Sequence, residues 1–156
     1  MLKNLSSLNY EMFCKMVKNQ SISKEKIDFN SLQEEIYNNL LGEFISPIER
    51  EDIFILQKRL EEEFLAICSF SLFNRINTFD FSDIEHLLKE NVLVFEELKN
   101  FKNPKKLLKL VRENKKLAIK LLTTEKCDFE KSKVLKIVEK IFSLCCEIER
   151  IILSNN

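Results

Sequence analysis

The chain has 156 residues, of which 45% are hydrophobic and 32% charged, and its formal net charge is zero. This length predicts a single domain over residues 1–156, and the neutral balance gives no overall attraction to nucleic acid or membrane. One glycine and two prolines leave little material for hairpin turns, which argues against an all-β fold. An odd number of cysteines without Cys-x-x-Cys spacing, and no apolar leader, predict a reduced cytoplasmic protein.

Apolar residues at helical spacing predict two helices before residue 45. The first covers residues 8–18, with Ser6 or Ser7 as its N-cap. A polar segment over 19–24 predicts a loop. The second helix is predicted to begin near Asn30, because apolar residues then repeat at every fourth position.

The boundary between the second and third helices carries the sharpest local signal in the chain. Ser46 is placed to cap the third helix, Pro47 falls at its first helical position, and Glu49 completes a capping box. A connection this short predicts an antiparallel hairpin. The third helix is predicted to end near Asn77 and to bury one apolar stripe, formed by Ile53, Leu56, Leu60, Phe64 and Ile67.

Three further helices are predicted in the second half of the chain. A capping box with Ser82 as cap opens the fourth, Asn103 followed by Pro104 opens the fifth, and Asp128 caps the sixth. The sixth is predicted to bury Val134, Leu135, Val138, Ile141, Phe142, Cys145, Ile148 and Ile152. Six helices with short connections and no strand candidate predict an all-α antiparallel helical bundle.

The helix junction resembles a known family. The run Phe44-Ile45-Ser46-Pro47-Ile48-Glu49-Arg50-Glu51-Asp52-Ile53, with Leu56 and Leu60-Glu61-Glu62 after it, is similar to the signature of PhoU-like proteins. More narrowly, it resembles the branch proposed as accessories of Pit-type phosphate transporters. The resemblance covers about residues 30–66 and implies two three-helix bundles. It also implies a non-enzymatic role in phosphate transport, through contact with a transporter or signalling protein at the cytoplasmic membrane face.

The family's metal site is predicted to be largely lost. PhoU-like proteins hold iron or zinc with pairs of acidic residues four positions apart, and nowhere in this chain does one acidic residue follow another at that distance. Asp52, Glu61 and Glu62 are the candidate remnant, and residual iron or zinc there is one alternative. The other is that all three are solvated charges on a long helix.

The segment from Lys99 to Leu122 is the strongest electrostatic feature, with nine basic residues against Glu113 alone. Five of them recur at helical spacing and predict a basic stripe: Lys105, Lys109, Arg112, Lys116 and Lys120. This stripe is either a solvated face or a contact for an acidic partner or anionic headgroups at the inner membrane face. Nucleic acid is disfavoured because no aromatic residues interleave with the lysines. Arg50 is either an anion contact or a brace for the neighbouring helix end.

No catalytic motif is visible, since the single histidine, His86, has no cysteine pair or nucleophile motif near it. Together with the resemblance, which implies a link to phosphate transport, this absence predicts a non-enzymatic regulatory or accessory protein of phosphate transport. Two alternatives stay open: a metal-binding helical protein with a reduced carboxylate site, and a generic helical dimerisation module. A homo-oligomer is open in each case. The candidate apolar surface patch consists of Phe70, Phe73, Phe79 and Phe81.

Overall fold

A computed structural model describes residues 1–41, 50–72, 80–124 and 129–154. Within these ranges the chain forms no strand and six α-helices: α1 (Leu2–Val17), α2 (Ser23–Leu41), α3 (Arg50–Ser71), α4 (Ser82–Asn100), α5 (Pro104–Thr124) and α6 (Phe129–Ser154). The predicted all-α helical class is confirmed. In the part of the chain that the structure describes, no helix combines the length and the apolarity needed to cross a membrane.

The first two helices begin earlier than predicted. α1 begins at Leu2, so Ser6 lies inside the helix, where it is buried and caps nothing. α2 begins at Ser23 rather than near Asn30. Its first turns are held by tertiary contacts, since Phe29 is buried in the core and the Glu25 carboxylate pairs with Lys15 of α1. Contacts of this kind override a weak local pattern.

The starts of α4 and α5 are correctly predicted, but one cap differs. Ser82 is the first helical residue of α4 rather than its cap, and its backbone N–H donates to Asp80 Oδ1 at 3.0 Å. At α5 the predicted cap is confirmed, because Asn103 Oδ1 accepts a hydrogen bond from the Lys106 N–H at 3.2 Å. The acceptor side chain that precedes each helix therefore satisfies one of its free N–H groups.

α2 and α3 pack as an antiparallel pair, as the hairpin prediction requires. Phe29 stacks on Phe64 with ring centroids 4.1 Å apart, and Gln57 Nε2 donates to the Gln33 carbonyl at 3.1 Å. Moving along α2 from Phe29 to Gln33, the contacts on α3 move back from Phe64 to Gln57, so the two helices run in opposite directions. Three predictions fall outside the described residues: the capping box at 46–49, the helix end near 77 and the cap at 128.

One hydrophobic core is shared by all six helices. The predicted stripe of α3 is buried throughout, and the predicted face of α6 is buried except at Phe142, which is partly exposed. The most extensive interhelical contacts are α5–α6, α3–α6 and α1–α4. Two of these three join the first half of the chain to the second, so the division into two three-helix bundles is not confirmed.

The predicted apolar surface patch is wrong where the structure describes it. Phe70 is fully buried, and Phe81 packs against Phe13 and Phe70 with ring centroids 5.9 Å apart in each case. Phe70 falls three residues after the buried Ile67, so it continues the inner stripe of α3. Phe73 and Phe79 lie outside the described residues.

Candidate interaction surface

The predicted basic stripe lies on the outer face of α5. On its inner face the helix buries a regular apolar row: Leu107, Val111, Ala118 and Leu121. The five stripe residues are all exposed: Lys105, Lys109, Arg112, Lys116 and Lys120. At 3.6 residues per turn these five positions fall within an arc of about 80° and extend about 22 Å along the helix axis. We call them the basic row.

Charge compensation along the basic row is incomplete. Arg112 Nε lies 3.3 Å from Glu149 Oε2 on α6, although its side chain remains 54% exposed. Lys105, Lys109 and Lys116 form no ion pair with any residue that the structure describes. Uncompensated surface cations attract an anionic partner and orient its approach. The row therefore has the chemistry of a docking face.

The three carboxylates of the candidate metal remnant do not converge. Asp52 is buried and accepts a hydrogen bond from Arg150 Nη2 at 3.0 Å. Glu62 is half-buried, and its Oε1 accepts one from Arg59 Nη1 at 3.1 Å. Glu61 is exposed and lies about 13 Å from Asp52 along the axis of α3. Asp52 and Glu62 are instead linked by ion pairs in which Glu147 bridges Arg150 and Arg59, and Glu61 lies apart from them.

Within the described ranges, no group of three or more histidine, cysteine, aspartate or glutamate side chains is arranged to hold a metal ion. The loss of the family's iron or zinc site stays a prediction for the chain as a whole, with residual metal binding as its alternative. Arg50 is exposed at the first residue of α3. Whether it braces a helix end or contacts an anion also stays a prediction.

Sequence reasoning missed a polar network inside the core. Asn9 Nδ2 of α1 donates to the Leu60 carbonyl and to Glu63 Oε1 of α3, each at 3.1 Å. Glu63 is fully buried, and no basic side chain of the described residues pairs with it. Burial therefore raises the pKa of Glu63 to about 8, against the lowering effect of the Asn9 hydrogen bond. At neutral pH this carboxyl holds its proton.

A second buried polar cluster lies among α4, α5 and α6. Asn114 Nδ2 of α5 donates to Asn91 Oδ1 of α4 at 3.4 Å, and Cys145 Sγ of α6 lies 3.8 Å from the same oxygen. Burial, together with the nearby Glu63 carboxyl, raises the pKa of Cys145 to about 12. The predicted assignment of Cys145 as a core thiol is confirmed, and a thiol that stays protonated is not a nucleophile.

A signal for Glu63 was present in the sequence. Glu63 stands three residues after Leu60 and four before Ile67, so helical spacing places it beside the inner stripe of α3. Its two preceding neighbours, Glu61 and Glu62, are also acidic, and three consecutive glutamates are typical of a solvated segment. A test of each acid against the helical period would have separated Glu63 from the other two.

These features define the class of protein: an all-α helical bundle with a basic outer face on α5 and a neutral polar network in its core. Comparison with protein-family models, with curated proteins and with solved structures finds no match to this chain. The likeness to PhoU-like proteins therefore depends on the junction motif and the helix succession.

Proposed function

We propose that this protein is a non-enzymatic regulatory or accessory protein that acts by contact with an anionic partner through the basic row. The observation that supports the proposal most directly is the exposure of Lys105, Lys109 and Lys116 without ion pairs among the described residues. α5 carries seven basic residues and one acidic residue in a chain whose net charge is zero. α5 therefore has an excess of positive charge, which the rest of the chain balances with an excess of acidic residues.

The strength of the basic row suits a transient contact. An exposed ion pair contributes about 0.2–1 kcal/mol, so five such pairs contribute about 5 kcal/mol at most. That limit corresponds to a dissociation constant no tighter than about 0.2 mM. The row would then orient the partner and speed its encounter, while other contacts supply affinity. Reversible docking of this kind fits a regulator better than a permanent subunit.

The junction motif supports phosphate transport as the process that is regulated. In this proposal the protein is cytoplasmic and peripheral to the membrane, and its partner is a phosphate transporter or a signalling protein at the inner membrane face. The metal-binding alternative gains no support from the described carboxylates, because Asp52 and Glu62 are engaged by arginines and Glu61 by a glutamine.

Deletion of the gene tests the link to phosphate. In the deletion strain we expect phosphate uptake or polyphosphate content to differ from the wild type under phosphate-limited or phosphate-replete growth, because the proposed regulator is missing. The measurements are uptake of radiolabelled phosphate and an assay of extracted polyphosphate. If both stay at wild-type values under both conditions, the phosphate role is wrong.

Site-specific photocrosslinking tests the contact surface separately. A photoreactive residue in place of Lys109 should crosslink to the cytoplasmic face of a tagged phosphate transporter in intact cells. The same residue in place of Lys24, an exposed position on α2, is the matched control. Adding Lys105→Glu and Lys116→Glu should abolish the crosslink from position 109. Equal crosslinking from both positions would contradict the assignment of α5 as the contact face.

A further inference from the structure

The outer face of α3 carries apolar side chains that the core does not use. Phe54 is 51% exposed and Leu65 55%, and Leu72, one residue beyond the end of α3, is 78% exposed. Lys58 and Glu61 lie between them on the same face and are also exposed. Together with the partly buried Cys68, these positions follow alternating spacings of four and three residues, which is the heptad spacing of a coiled-coil seam. We call this face the outer seam.

The outer seam runs between two neighbouring helices without being covered by either. On one side α2 contacts α3 through Phe64 and Gln57. On the other side α6 contacts α3 through Glu62, whose Oε2 lies 3.9 Å from Lys140 Nζ. Gln33 of α2 donates a hydrogen bond to Glu61 Oε2 at 2.6 Å, yet Glu61 remains exposed. Apart from the partly buried Cys68, the seam is therefore helix surface open to solvent.

We infer that the outer seam binds a second copy of this chain as an antiparallel α3–α3 pair. Positions 54 and 65 and positions 58 and 61 share one midpoint on α3. A twofold axis through that midpoint places Phe54 against Leu65 of the second copy and Lys58 against Glu61 of the second copy. Each contact then occurs twice, as a twofold interface requires. In this arrangement two apolar pairs flank two ion pairs, each between Lys58 of one copy and Glu61 of the other.

This charge pattern favours a second copy over other occupants. The seam contains one cation and one anion in its central layers, so it is neutral as a whole and complementary to itself. An acidic partner or an anionic membrane would gain from Lys58 and lose from Glu61. The basic row on α5 has no such balance, so the two surfaces are suited to different partners and can be occupied together.

Sedimentation analysis with charge reversal tests the pairing. The wild-type protein should dimerise with a dissociation constant of about 1 µM to 1 mM, because the seam is smaller than a standard interface. Lys58→Glu and Glu61→Lys should each weaken dimerisation by about tenfold or more, since each places like charges opposite each other twice. The double variant Lys58→Glu/Glu61→Lys should restore it.

Lys24→Glu on α2 is the control for a general effect of charge, and we expect it to leave the dimer unchanged. Circular dichroism melting checks that each variant is folded. A wild-type protein that stays monomeric over this concentration range would overturn the inference. So would a dimer that both single reversals leave unchanged, or a double reversal that fails to restore association, because either result places the interface elsewhere.

Discussion

α3 and α5 have 22 and 21 residues and both pack against α6, yet they distribute their side chains in opposite ways. α5 separates its side chains more sharply, with aliphatic residues inside and cations outside, apart from the buried Asn114 and the exposed Ile119. α3 buries the carboxyl of Glu63 and exposes Phe54 and Leu65. The difference teaches that a cleanly segregated helix can be predicted from its own sequence. In a helix that buries polar groups and exposes apolar ones, the placement of these side chains depends on partners elsewhere, either in the core or on a second molecule.

The largest expected effect comes from Glu63→Gln, which keeps the shape of the side chain and removes its titration. The folded pKa of Glu63, about 8, lies above its ordinary value of 4.5, so the folded state holds the proton more tightly than the unfolded chain. Its contribution to stability is therefore complete below pH 4.5 and is lost as the pH rises towards 8. Relative to the Gln variant, the wild-type free energy of unfolding should fall by about 2.5 kcal/mol between pH 5 and pH 7.

Urea unfolding of both proteins at pH 5, 6 and 7 measures this difference. Glu61→Gln on the exposed side of α3 is the control and should follow the wild type at every pH. Parallel pH profiles for wild type and Glu63→Gln would show that Glu63 is solvated in solution, and the contrast between the two helices would be lost.

Asn9→Ala comes next, with an expected cost of about 1–3 kcal/mol in the free energy of unfolding. Asn9 donates to both the Leu60 carbonyl and the Glu63 carboxyl, and truncation leaves the buried Glu63 carboxyl without this donor. The measurement is urea unfolding at pH 5, where Glu63 is neutral. Asn4→Ala, at an exposed position of α1, is the control. Equal stability of the two variants would mean that the network does not join α1 to α3.

On α5 we expect a smaller effect, from Asn103→Ala. The Asn103 side chain accepts the Lys106 N–H, and removal of such an N-cap costs about 1 kcal/mol. Thermal and urea unfolding measure the loss, and Asn103→Asp should keep most of the stability because it preserves the acceptor. A loss as large for Asp as for Ala would assign the effect to something other than capping.

The smallest effect is expected in the basic row. Lys109→Gln and Lys116→Gln should each change the free energy of unfolding by less than about 0.5 kcal/mol, because neither lysine has an ion-pair partner among the described residues. Urea unfolding at low and high salt measures it. A loss above about 1 kcal/mol for either variant would make the row a structural feature instead of a docking face.

The features that the sequence predicts are those that depend on local patterns. The inner stripe of α3, the Asn103 cap and the buried Cys145 follow from helical periodicity and local capping chemistry, and the structure confirms them. The early start of α2 could not be predicted, because Glu25 is held by Lys15 of another helix. The position of Glu63 beside the inner stripe follows from helical spacing, but its partner Asn9, which is distant in the sequence, does not. Local patterns carry no information about such partners.

Complementation of the deletion strain tests most directly the claim that the protein acts through its basic row. The variant Lys105→Glu/Lys109→Glu/Lys116→Glu should fold normally and fail to restore the response of phosphate uptake to phosphate supply. A matched variant with three exposed lysines changed elsewhere, Lys18→Glu/Lys24→Glu/Lys89→Glu, should restore it. If the α5 variant restores the response as fully as the wild-type protein, the account is contradicted.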